Sequence, residues 1–251
     1  MPIPVGYHET IVTSEASRSV EAYWSFTAEK AGGGLVLPDG RCDIILQYNI
    51  HSSDVPVPII TGPATQAYTV EYEVGDRWLG MRLRPDNGCA LWTSGIAHAV
   101  NTVLIGPEAL ALLPKLAKLN NNNLTIGDFS KTVGVMTKLN TNRWVSRALS
   151  ALHTSGGRMQ IEKLAEFVGC TPRHLNRIFR SHTGLSAKTY AQLVQFHRTL
   201  RLIQREHLPI TGAAFEGGYA DHAHITRAFR RFGGFTPSDI PDELSLPTLF
   251  P

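Results

Sequence analysis

Residues 171–186 read TPRHLNRIFRSHTGLS, and residues 221–236 read DHAHITRAFRRFGGFT. Fifty places apart, Leu175, Arg177, Phe179, Arg180, Gly184 and Ser186 meet Ile225, Arg227, Phe229, Arg230, Gly234 and Thr236, identical or closely similar at all six. Each copy predicts a short helix. Thr171 is a good cap with Pro172 as the first helical residue, Ala220-Asp221 opens the second, and glycine closes both. Helical spacing puts Leu175, Ile178 and Phe179 on one side of the first helix. Arg173, Asn176, Arg177 and Arg180 fall at i, i+3, i+4 and i+7 on another. In the second copy Ile225, Ala228, Phe229 and Phe232 make the apolar side, and Ala223, Thr226, Arg227 and Arg230 take the places of the front residues. Each copy therefore has a back to bury and a cationic or hydrogen-bonding front.

The flanks extend the pattern. Before the first copy, Ile161, Leu164, Ala165 and Val168 mark one apolar face of a short helix that stops at Gly169. Before the second, ITGAAFEGG (210–218) is a short helix ending at Gly217-Gly218. Between the two units SAKTYAQLVQFHRTLRLIQRE (186–206) predicts one long helix, broken by Pro209, with Tyr190, Leu193, Phe196, Leu200 and Ile203 on its buried side. A helix, a glycine turn and a second helix of this size make the unit whose second helix enters the major groove of DNA. The front residues suit that use. Arginine pairs with guanine O6 and N7, asparagine with adenine, and threonine offers a hydroxyl or a methyl. Basic side chains near the helix ends neutralise phosphates. Charge agrees: residues 157–240 hold 12 Lys+Arg against 6 Asp+Glu, whereas residues 1–156 hold 12 against 13. Two copies in the same order argue for sequence preference over bare backbone binding.

Residues 158–240 resemble the tandem helix-turn-helix domain of the AraC/XylS family of bacterial transcription regulators. The stretches that carry the likeness are IEKLAEFVGCTPRHLNRIFRSHTGLSAKTY and ITGAAFEGGYADHAHITRAFRRFGGFTPSDI, the second the more specific. The resemblance implies one subunit reading adjacent major-groove segments about 34 Å apart along the duplex. It places the base-reading positions at Arg173, Asn176 and Arg177 with His174 beside them, and at His222, Ala223, His224, Thr226 and Arg227. Ala223 departs from the pattern by offering only apolar contact. Arg180 and Arg230 fit phosphate contacts or internal ion pairs. His222 and His224, two apart on a helix, point about 200° away from each other and cannot chelate one ion. No metal or cofactor is expected.

The front of the chain has a different texture. Residues 20–28, 33–37, 43–49, 57–61, 66–74 and 77–84 are rich in β-branched and aromatic residues and separated by turn signals such as PDG and RPDNG. They predict a small antiparallel barrel or sandwich. Residues 106–119, 125–139 and 141–155 have helical spacing, and Leu110, Leu113, Leu116 and Leu119 fall three apart. Packing on the barrel is the favoured role for that stripe, with a homodimer contact as the alternative. The expected fold is thus α+β in two domains: residues 1–105 a β-rich, barrel- or cupin-like sensing domain, 106–156 a helical connector, and 157–251 an all-α DNA-binding domain with a short tail. The stretch from VEAYWSF to NGCALW resembles the poorly characterised front domain of a subgroup of the same family. That implies an effector-sensing or dimerising role with no particular ligand. Arg41, Asp43, Arg82 and Arg84 are the effector-site candidates, for something anionic or polar. For PDGRCD the plainer reading is a tight turn centred on Asp39 and Gly40.

Several classes are excluded by pattern. No run of eighteen apolar residues is present, and MPIPVGYHETIV lacks a basic region leading into an apolar stretch, so neither a membrane span nor a secretory signal is read. Three separated cysteines, Cys42, Cys89 and Cys170, fit a reducing cytoplasm rather than a disulfide framework. No Walker loop, G-x-S-x-G, H-E-x-x-H or dinucleotide-binding glycine pattern occurs. The expectation is a cytoplasmic regulator, not an enzyme. Its partners would be double-stranded DNA, an unknown small-molecule effector and, for an activator, RNA polymerase.

Overall fold

Alternating apolar residues in the front of the chain pair as strands. The structure, a computed structural model, describes residues 6–12, 19–92, 94–120, 124–133, 142–241 and 244–245. The strands are β1 (Tyr7–Ile11), β2 (Val20–Thr27), β3 (Gly32–Val36), β4 (Asp43–Asn49), β5 (Val57–Thr61), β6 (Tyr68–Tyr72), β7 (Asp76–Leu83), β8 (Val103–Ile105) and β9 (Leu244–Ser245). They form a six-stranded sheet in the order β1-β2-β7-β4-β5-β8 and a three-stranded sheet, β6-β3-β9. In the large sheet the pairings are antiparallel, and Ile44 lies opposite both Met81 and Ile60, with Leu46 opposite Leu79. Because the strand period is two, Ile44, Leu46, Leu79, Met81 and Leu83 share one face, and all five are fully buried. That face is covered by α1 (Pro107–Leu112), a 3-10 turn over Pro114–Lys118 and α2 (Ile126–Val133), through Leu116, Leu119, Phe129 and Val133.

The opposite face carries aromatics. Phe26 lies tilted against Trp78 at 5.4 Å and meets Tyr72 of the small sheet edge-on at 5.2 Å. The β3–β6 hairpin folds over this face, so the front region is a sandwich of two sheets rather than a closed barrel, and β1 and β8 remain the two edges of the large sheet. At its centre the Trp24 indole lies against Gly80. A Cβ there would come within 1.9 Å of the Trp24 ring, so only glycine admits that crossing.

The helix expected over 106–119 breaks. Leu113 is extended (φ −136°, ψ 76°) because Pro114 follows, and a proline pushes its predecessor out of the helical region. Of the leucine stripe, Leu110, Leu113, Leu116 and Leu119 all pack into the front core. The helix expected over 125–139 is seen to Val133, and residues 134–139 lie outside the described residues.

Six further helices make a second core: α3 (Arg143–Thr154), α4 (Ile161–Val168), α5 (Pro172–Thr183), α6 (Ala187–Gln204), α7 (Ile210–Gly217) and α8 (His222–Gly233). The expected long helix is α6. Tyr190, Leu193, Phe196 and Leu200 are fully buried, and Ile203 packs at the margin. Its other sides are covered too, with Val194, Gln195, His197 and Thr199 all buried. The extra cover comes partly from the front region. His197 Nε2 donates to the Pro38 carbonyl at 2.6 Å, and Gly40 packs against Leu185, Tyr190 and Leu193. α3, from the connector of the sequence reading, contributes Val145, Ala148 and Leu152 to this same core.

Candidate nucleic-acid interface

Both repeated helices are built the same way from their ends. The Thr171 hydroxyl accepts from the His174 amide at 3.2 Å, and the Asp221 carboxylate accepts from the His224 amide at 2.6 Å. Each satisfies a backbone donor that the first turn leaves unpaired. The preceding helices stop on left-handed glycines, Gly169 (φ +81°) and Gly218 (φ +78°), so the chain turns within three or four residues into the next helix. Gly184 and Gly234, at +78° and +79°, close the repeated helices themselves.

The apolar backs repeat because they meet the same partner helix. Phe179 on α5 packs edge-on to Tyr190 of α6 at 5.6 Å. Its counterpart Phe229 on α8 packs edge-on to Phe196 of α6 at 5.0 Å. Phe179, Phe229, Tyr190 and Phe196 are each fully buried. Burying such a side chain stabilises by roughly 1.5–3 kcal/mol. One 18-residue helix thus carries both units. At 1.5 Å per residue it spans about 27 Å.

The fronts face outward. Arg173, Asn176, Arg177 and Arg180 on α5 are exposed, as are His222, Ala223, Arg227 and Arg230 on α8. Among the described residues no acid pairs with any of these five arginines; the ion pairs formed there lie in the front region. The cationic fronts therefore stay uncompensated toward solvent. The internal ion pair considered for Arg180 and Arg230 is not formed among the described residues. His174 and His224, equivalent in the two copies, are only half exposed. The His174 ring stands edge-on to Trp144 of α3 at 5.8 Å, and Arg177 reaches its Nδ1 at 3.2 Å. His224 stands edge-on to Tyr219 at 5.1 Å. The Thr226 hydroxyl donates to the His222 carbonyl one turn back at 2.8 Å, which leaves its methyl and lone pairs outward. His222 and His224 join no metal-binding group among the described residues.

One cation here escapes a reading of the repeat alone. Arg143 lies over the Trp144 ring, 4.9 Å from its centroid, and Trp144 in turn touches His174. An exposed arginine is thereby set beside the start of α5 from 30 residues upstream. Only the packing of α3 on α5 reveals it.

The effector-site candidates of the front region are brought together in part. Arg41 and Arg82 are almost wholly buried and turn inward on carboxylates. Arg41 holds Glu21 through Nε and Nη2 and gives Nη1 to the Asp39 carbonyl. Arg82 lies 3.1 Å from Glu9, 3.4 Å from Asp39 and 3.7 Å from Asp43. The PDGRCD turn forms around Gly40 (φ +68°), with Asp39 Oδ1 accepting from the Arg41 amide at 2.9 Å. Arg84 joins none of these ion pairs. Burial pushes the Asp43 carboxyl up to about 6, against the pull of Arg82.

A helix-turn-helix domain family matches residues 164–241. The transcriptional regulator GlxA of Rhizobium meliloti is 32% identical over 77 residues, 31% of this chain and 24% of that protein. The transcriptional activator RhaS of Escherichia fergusonii is 30% identical over 79 residues, 32% of this chain and 28% of that protein. The chain thus spans about a quarter of the length of these curated relatives. Among solved structures, ToxT of Vibrio cholerae overlays 93% of this chain and 97% of its own at a TM-score of 0.43 and 10% identity, a loose likeness. No helix among the described residues is long and apolar enough to cross a membrane.

Proposed function

We propose that residues 164–241, which match a helix-turn-helix domain family, form a DNA-reading unit of the AraC/XylS type, and that the chain is a sequence-specific, duplex-binding transcription regulator that does no catalysis of its own. The observation that carries this reading is the pair of capped helices on one shared helix, each presenting arginines with no acid partner among the described residues. The α5 front reads bases through Arg173, Asn176 and Arg177. The α8 front uses His222, Ala223, Thr226 and Arg227. Arg180, Arg230 and Arg143 meet phosphates, and His174 and His224 hold the start of each helix against its aromatic neighbour. α6, about 27 Å long, suits two readers one turn of B-DNA (roughly 34 Å) apart. In this reading residues 1–105 sense or dimerise, 106–156 connect, with α3 packed into the helical core, and 157–251 bind DNA, with Leu244–Ser245 returning to pair with β3. In a bacterial cytoplasm an activator of this kind would also meet RNA polymerase.

The test is base-resolved. On the preferred duplex, Arg173→Ala or Arg177→Ala costs about 1–3 kcal/mol, and the loss is confined to one base position. If the same variant weakens every duplex equally, the residue is a phosphate contact and the assignment fails.

A further inference from the structure

A cavity of about 230 Å³ opens at the end of the front sandwich, and Asp39 and Asp43 stand in its wall. It holds roughly eight waters' worth of liquid volume, at about 30 Å³ each, which suits a compact ligand. The other wall is the segment Gly62–Ala67, tied to the loop after Ile96. Gly62 donates to the Thr102 carbonyl at 2.9 Å, Asn101 donates back to the Pro63 carbonyl at 3.0 Å, and Asn101 Oδ1 accepts from the Thr65 amide at 2.7 Å.

That wall touches the ends of both repeated helices. The Ala67 amide donates to the Phe232 carbonyl, at the end of α8, at 2.8 Å. Pro63, Val100 and the Ile96 carbonyl press on Gly184, the cap of α5, leaving at most about 3.2 Å to a Cβ placed there. Anything seated in the cavity therefore bears on the one short segment that abuts both readers.

The charge of the cavity wall selects the ligand. Arg41 lines it but is already engaged by Glu21 and by the Asp39 carbonyl, so its fork is turned from an anion. Among the described residues this leaves one guanidinium, Arg82, beside the carboxylates of Asp39 and Asp43, with Glu9 closer to it than either. Arg82 is 2% exposed, and its Nε makes no hydrogen bond among the described residues. The Asp43 side chain is 13% exposed. Its Oδ1 accepts from the Trp24 indole at 2.7 Å, while its Oδ2 accepts no hydrogen bond among the described residues. Buried carboxylates with too little countercharge favour an arriving cation.

We propose that this cavity binds a compact organic cation, an ammonium or guanidinium compound, and that its occupancy sets how α5 and α8 are presented to DNA. The cation lies against Asp43 and Asp39, and its body rests on Ala64 and Ala67. The proposal rests on the regulator reading for its consequence, but not for the binding itself.

The experiment titrates the full chain with agmatine and with 1,4-diaminobutane, by calorimetry and by thermal melting. The controls are 1,4-butanediol, succinate and magnesium. One of the two organic cations should bind and raise the melting temperature with its logarithmic concentration, and the three controls should not. Asp43→Asn should weaken binding at least tenfold. Ala64→Phe, which fills the cavity without altering charge, should abolish binding while the chain stays folded, and it carries the test if Asp43→Asn does not fold. Three results overturn the site: no cation binding at millimolar concentration, equal binding of butanediol or magnesium, or unchanged binding in Ala64→Phe. On a selected duplex the bound cation should shift affinity fivefold or more; an unchanged affinity overturns the coupling. If the cation binds and no duplex is preferred over random DNA, the site stands and the regulator reading falls.

Discussion

His197 provides an acid-sensitive joint between the two halves of the chain. It is fully buried on α6 and donates to the Pro38 carbonyl at 2.6 Å. Burial holds its pKa down at about 4, with that hydrogen bond and Asp39 pulling upward and Arg41 and Arg201 pushing downward. In the unfolded chain the value is about 6.5. A folded pKa below the unfolded one means the unfolded state binds the proton first. The contribution is thus fully present above about pH 6.5 and is lost as pH falls toward 4. Between pH 7 and pH 5 the loss is about 2 kcal/mol from this one residue, at 1.36 kcal/mol per unit. His153, also held near 4 by burial and by Arg41, adds in the same direction. Asp43 opposes both, since its raised folded value of about 6 makes the folded state take up a proton over part of the same range. A comparison of wild type with His197→Gln removes those shared terms, because glutamine can still donate to Pro38 and does not titrate. Urea melts at pH 7, 6 and 5 should show wild type losing about 2 kcal/mol more than the variant over that interval. Parallel pH dependences in the two proteins would refute the buried, neutral His197.

Further outcomes follow from packing and caps. Phe229→Ala empties a fully buried site against Phe196 and should cost about 3–5 kcal/mol by denaturant melt. Asp221→Ala removes the cap of α8 and should cost about 1 kcal/mol. A loss as large as that of the phenylalanine would mean Asp221 does more than cap. Gly157→Ala should destabilise strongly, since φ is +75° and the new Cβ would sit 2.1 Å from the Ala191 carbonyl oxygen. A neutral melt there would contradict the close approach of the α3–α4 turn to α6. Removing Arg180 or Arg230 should weaken binding to all duplexes alike and lower the log–log salt slope by about one.

Much of the reading interface was legible because two local rules fix it. Spacing of 3.6 put Leu175, Ile178 and Phe179 inside and Arg173, Asn176 and Arg177 outside, and caps at Thr171 and Asp221 set both starts. The strands at Asp43–Asn49 and Val57–Thr61 were equally plain, with β-branched runs between turns. β1 and β8 carry no such signal: YHETI alternates weakly, and Val103–Ile105 is only three residues of edge strand. Between the two expected forms, barrel and sandwich, the sequence could not choose, because periodicity says which face is buried, not what covers it. Here a hairpin carrying Tyr72 covers it. The junction was the least legible part. His197, Gln195 and Gly40 look like surface or turn residues until α6 is seen to be covered on more than its apolar side, Gln195 donating to the Gly217 carbonyl at 2.8 Å. By sequence Arg41 and Arg82 are candidates for effector contacts or for turn and surface pairs. Their use is inward, in ion pairs that sequence spacing cannot show.

The measurement that bears most directly on the central claim is selection of bound sequences from a random duplex pool by the purified chain. The selected site is then compared with random duplex at one fixed salt concentration. Two readers on one helix predict an asymmetric site about two turns long, bound at least a thousandfold more tightly than random DNA. An affinity ratio near one would contradict the account.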